Sequence, residues 1–157
     1  MIRNITATKF GPNALSADIA ALSSKSFPGK SAKQINNGSC EEFAKKLKAV
    51  VYAKYGATGF IYTGSNFIRD TSWHPDKRDK DYVKGFDVAK LKVHWPKCKP
   101  ILGTTWESMY MDFASYGHAW FSIENRHYDA ECPQGTDNFF ELPIYVRMAE
   151  RVIRERK

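Results

Sequence analysis

The sequence predicts one α+β domain over residues 1–157, with helices packed on an antiparallel sheet and a helix at the C-terminal end. Three stretches carry that expectation. Between Cys40 and Lys54 apolar residues recur at helical spacing, between Gly117 and Pro133 they alternate as in a hairpin, and after Pro143 a second helical pattern begins. A content of 43% hydrophobic and 14% aromatic residues is enough for a packed globule of this length.

The first helix is expected over 13–24, with Leu15, Ile19 and Leu22 on one face and Asn13 as its cap. Residues 26–31, which include Phe27-Pro28-Gly29, form a loop. The second helix begins at Cys40. Ser39 is its N-cap, Glu42 completes a capping box, Phe43, Leu47, Val50, Val51 and Lys54 make the inner stripe, and Gly56 stops it. Short strands are expected at Gly59–Tyr62, Asn66–Ile68 and Leu91–Trp95, with a polar loop from His74 between them. Residues 106–115 form a helix or a substrate-side loop. Pro143 opens the last helix, 144–156, whose Met148, Val152 and Ile153 face inward and whose Arg147, Arg151, Arg154 and Arg156 face outward.

The most informative stretch is GHAWFSIENRHYDAECP, Gly117 to Pro133. Ala119, Phe121 and Ile123 fall on one face of a strand, with His118, Trp120 and Ser122 on the other. A two-residue turn at Glu124-Asn125 pairs Phe121 with Tyr128 and His118 with Glu131 in a second strand reaching Cys132. That register makes His118 and Asp129 diagonal neighbours on the polar face, whereas a three-residue loop would separate them. An imidazole beside a carboxylate is the base-and-orienter half of a catalytic set, or simply part of a polar outer face. His127 shares that face and is the rival base.

The complementary nucleophile is Cys40. Packing does not require a cysteine at the first position of a helix, but a helix N-terminus stabilises a thiolate. Cys40, Cys98 and Cys132 are an odd, widely spaced set, neither a disulfide framework nor a zinc motif. Cys98 is expected to be inert.

The net charge of +7 favours anionic partners, although Lys and Arg are spread along the chain without a nucleic-acid motif. No apolar run approaches the roughly 20 residues of a membrane span. MIRNITATKF has no signal-peptide pattern, so cytoplasmic residence is expected.

QINNGSCEEFA, Gln34 to Ala44, resembles the nucleophile helix of papain-like thiol hydrolases in its Gln, its Gly-Ser-Cys run and its aromatic-Ala pair. The order Cys40, His118, Asp129 is similar to that superfamily's. Gly-His-Ala-Trp followed by Tyr-Asp-Ala-Glu is most similar to its compact members, the bacterial cell-wall amidases and endopeptidases and the transglutaminase-like enzymes. Glu41 stands where plant-type members carry Trp.

The resemblance implies a Cys40-His118-Asp129 triad and an oxyanion site near Gln34 or Asn37. Trp120 and Trp106 are candidates to touch substrate. It further implies a monomeric thiol hydrolase needing neither metal nor cofactor, acting on a peptide, protein or peptidoglycan-type amide. A transglutaminase-like acyltransferase is the nearest alternative. Alternatives of another class are a basic module that binds nucleic acid through the aromatics and the Arg-rich tail, and a protein-binding relative without activity.

Overall fold

The computed structural model describes residues 9–63, 92–93, 95–106, 108 and 118–155. Among them, three helices (α1 Ser16–Ser26, α2 Ala32–Asn36, α3 Cys40–Tyr55) precede the strands β1 Phe60–Thr63, β2 Ala119–Ile123, β3 Arg126–Asp129 and β4 Cys132–Thr136. A 3-10 turn, Phe139–Glu141, then leads into the C-terminal helix α4, Pro143–Glu155. The architecture is α+β, with an antiparallel meander in the order β1-β2-β3-β4.

The β2–β3 hairpin has the expected register, Phe121 opposite Tyr128 and Ser122 opposite His127. Its turn residues Glu124 and Asn125 both have positive φ, 53° and 64°, the conformation whose twist matches a two-residue hairpin. The second strand is shorter than expected. It ends at Asp129, and a second tight turn at Ala130-Glu131 starts β4, so Asp129 faces Cys132 and no His118–Glu131 ladder pair forms. Asp129 makes that turn itself, because its Oδ1 accepts the backbone N–H of Glu131 (2.9 Å).

The sheet is covered on both faces, so the polar outer face expected from the alternation is an interior. On one side Phe121, Ile123, Tyr128 and Ala130 pack against Leu15, Ile19, Phe43, Leu47 and Val51 of the N-terminal helices. On the other, Trp120 and Cys132 pack with Trp95, Phe139, Tyr145 and Met148. Every residue of β2 is therefore buried. The aromatic side chains around Trp120 cover what the alternation alone would leave to solvent.

Several local expectations are corrected. α1 starts at Ser16, because Asn13 adopts φ 67° and its N–H bonds to Gln134 O (3.0 Å) instead of capping. α2 is an additional helix, closed by a capping box between Ser31 and Gln34. Ser39 does occupy the N-cap of α3, but its side chain makes no capping bond and its Oγ accepts from Lys30 Nζ (3.0 Å). Gly56 ends α3 in the left-handed conformation, as expected. Lys54 lies outside the inner stripe and pairs with Asp18 (2.7 Å), tying α3 to α1. Lys92 and Val93 are helical, not extended. The expected strand at 66–68 and polar loop at 74–85 lie outside the described residues, as does most of 106–115. Among the described residues no helix is long and apolar enough to cross a membrane.

Candidate active site

Cys40 opens α3, which packs across β2, and His118 directly precedes β2. That packing brings together two residues 79 positions apart: the backbone N–H of Ala119, next to His118, points at Cys40 Sγ (3.4 Å). Cys40 is half-buried, while His118 and Asp129 are each only 2% exposed. Nε2 of His118 lies 2.8 Å from Asp129 Oδ2. An ionised carboxylate can only accept, so Nε2 carries the proton and Nδ1 is left for the thiol. Nδ1 is buried and makes no hydrogen bond among the described residues.

The electrostatics match this arrangement. Burial opposes ionisation of the Cys40 thiol, but the attraction of His118 and the N–H groups of Ala119 and Glu41 outweigh it, and its pKa falls below the ordinary thiol value. Burial likewise opposes protonation of His118. The pull of Asp129, and after it of Cys40, prevails, and the imidazole is pushed up to about 9. Both shifts run toward a thiolate–imidazolium pair, the thiol downward and the imidazole upward. Tyr145 of α4 stands edge-on to the His118 ring at 5.8 Å and confines it. The other two thiols differ: burial pushes Cys98 and Cys132 each up to about 12.

No family model matches this chain, and no curated protein or solved structure matches it significantly.

The remaining predicted site residues are placed less favourably. Gln34 is exposed, and its Oε1 accepts the Ser31 N–H (2.8 Å) in the α2 capping box; Asn37 is the exposed C-cap of α2. Trp120 is wholly buried, stacked on Phe139 with its Nε1–H bonded to His127 Nδ1 (3.0 Å). That burial leaves it no surface for substrate, and it occupies the rival base His127, itself fully buried. Trp106 is half-buried against Phe140, with Lys92 Nζ 5.8 Å from its ring.

Sequence reasoning passed over Asn36, Glu131 and Arg147, which join into one polar group beside Asp129. The Asp129-Ala130-Glu131 turn was the available signal for Glu131. No local pattern announces Arg147. A cavity of about 330 Å³, lined by Phe10, Pro12, Trp95, Lys97, Glu124 and Arg126, sits at the Glu124-Asn125 end of the hairpin and includes none of the triad. Among the described residues no cluster of three or more His, Cys, Asp or Glu side chains is arranged to hold a metal ion.

Proposed function

We propose that the protein is a cysteine-dependent acyl-transfer enzyme of the compact papain-like type, cleaving an amide or isopeptide bond in a peptide, protein or peptidoglycan-type substrate. The observation that carries this is the convergence of a half-buried Cys40 thiol at a helix N-terminus, the His118 ring and a buried Asp129 2.8 Å from that ring.

In this mechanism the Cys40 thiolate attacks the acyl carbon, and the carbonyl electrons move to oxygen. The positive end of α3 stabilises that oxyanion. Its collapse breaks the C–N bond, and His118 Nδ1 gives its proton to the departing amine. Water, or a second amine, then attacks the Cys40 thioester while Nδ1 takes the proton back, and the acyl group leaves with the thiolate restored. Asp129 keeps the proton on Nε2 throughout and so maintains the tautomer. Water as acceptor makes the enzyme a hydrolase, and an amine makes it transglutaminase-like.

The test uses p-nitrophenyl acetate with wild type, Cys40→Ala and His118→Ala, followed by acid quench and intact-mass measurement. The expected result is a burst of one nitrophenolate per protein and an acetyl group on Cys40, both lost in the two variants. A wild-type burst no larger than that of Cys40→Ala would overturn the proposal.

A further inference from the structure

Asp129 is held at both oxygens. Oδ2 receives His118 Nε2 (2.8 Å), and Oδ1 receives the backbone N–H of Glu131 (2.9 Å). Glu131 is in turn fixed by its own side chain. Its carboxylate, 12% exposed, takes both arms of the Arg147 guanidinium (2.8 and 2.9 Å) and the amide of Asn36 (2.8 Å). Such a forked, charge-assisted contact adds directional rigidity as well as energy.

Three separate parts of the chain meet at this carboxylate. Arg147 comes from α4, Glu131 from the β3–β4 turn, and Asn36 from the last residue of α2, four positions before Cys40. Asn36 is 4% exposed, and its Oδ1 makes no hydrogen bond among the described residues, so the bond from its Nδ2 to Glu131 is what orients the amide.

We infer that Glu131, clamped by Arg147 and Asn36, is a positioning residue that locks Asp129, and through it the His118 ring, in register with Cys40. The inference rests on the thiol chemistry proposed above. The clamp spans both halves of the site, the segment leading to the nucleophile and the turn that carries the orienting carboxylate. Burial opposes ionisation of Glu131, but Arg147 and Asn36 more than offset it and hold its pKa below the usual carboxylate value, so the clamp is intact at neutral pH. Among the described residues, Asp129 on β3, Glu131 in the turn and Tyr145 on α4 act on the Cys40–His118 pair, and Cys132 on β4 and Arg147 on α4 act in turn on Asp129 and Glu131.

The experiment follows the His118 ring in the full chain by side-chain nitrogen NMR of histidine-labelled protein. His118→Gln assigns its signals among the four histidines. Wild type is compared with Glu131→Gln and with Arg147→Gln, the latter replacing a side chain that is 38% exposed and so better tolerated by the fold. Iodoacetamide labelling of Cys40 runs in parallel.

Charge alone and positioning predict opposite signs for Arg147→Gln. Removing a nearby cation through space would raise the His118 midpoint, whereas releasing the clamp lowers it. We expect both variants to lower the midpoint by about one pH unit, to blur the Nε2–H tautomer and to slow Cys40 labelling at pH 7. An unchanged midpoint in Glu131→Gln, or a raised one in Arg147→Gln, overturns the inference while the proposed function stands. A wild-type His118 midpoint near 6.5 with ordinary Cys40 labelling overturns both.

Discussion

His118 and Asp129 form a buried pair, with Nε2 and Oδ2 2.8 Å apart and each residue 2% exposed. Isolated burial of either group would be costly, and together with the Cys40 thiol they share charge that neither could carry alone.

The coupling of Cys40 to His118 predicts an unusual dependence of stability on pH. His118 has a raised pKa, so alone it contributes stability present below about 6.5 and lost as pH rises through about 9. Cys40 has a lowered pKa, so its contribution is present above the ordinary thiol value and lost as pH falls through the folded value. Between those limits one group holds a proton in the folded state that the other has given up. The opposing slopes offset each other there, so the two groups together should make wild type less sensitive to pH than His118 alone would. In Cys40→Ala the offset is gone; Asp129 still raises the His118 pKa, without the share that Cys40 supplied, and stability should fall above pH 6.5 by up to about 1.4 kcal/mol per pH unit. Urea unfolding from pH 6 to 9 measures the difference between the two proteins. Parallel curves would show that the groups are not coupled.

Trp120 is a core side chain, and its replacement tests this directly. Trp120→Phe removes the hydrogen bond to His127 Nδ1 and leaves a buried imidazole with one partner fewer. The expected cost is about 1–3 kcal/mol in urea unfolding, with Cys40 labelling little changed under native conditions. A variant of wild-type stability that loses the nitrophenyl acetate burst would instead return Trp120 to the substrate site.

Gly59 lets β1 approach β2. A Cβ there would run into the Phe121 ring and lie 2.8 Å from the Ser122 carbonyl oxygen. Gly59→Ala should therefore cost about 1–3 kcal/mol of stability, read by thermal or urea unfolding. Unchanged stability would mean that the β1–β2 approach is looser than its register implies.

The parts of this site that sequence made legible are those with local causes. Period-two alternation and a two-residue turn are enough to set Phe121 opposite Tyr128, which puts His118 and Asp129 on one face. Helical spacing after Ser39 and the stop at Gly56 are enough to place Cys40 at a helix start. What escaped depends on distant contacts or on competing local bonds. Covering the Trp120 face needs Trp95, Phe139 and α4, none of which the hairpin itself encodes. Gln34 has a suitable position before Cys40, yet Ser31 three residues earlier claims its side chain for a cap. Arg147 falls among the arginines expected to face outward, and only the folded chain shows that it turns to Glu131.

The most direct test of the central claim is the pH dependence of iodoacetamide alkylation, resolved by mass spectrometry at Cys40, Cys98 and Cys132. Wild type and His118→Ala are compared. The account predicts that Cys40 alone reacts rapidly below pH 7, and that His118→Ala abolishes this reactivity. Cys98 and Cys132, pushed up to about 12, should react only on unfolding. A Cys40 that reacts no faster than an ordinary thiol, or no faster than Cys98, would contradict the thiolate–imidazolium pair and the acyl-transfer chemistry built on it.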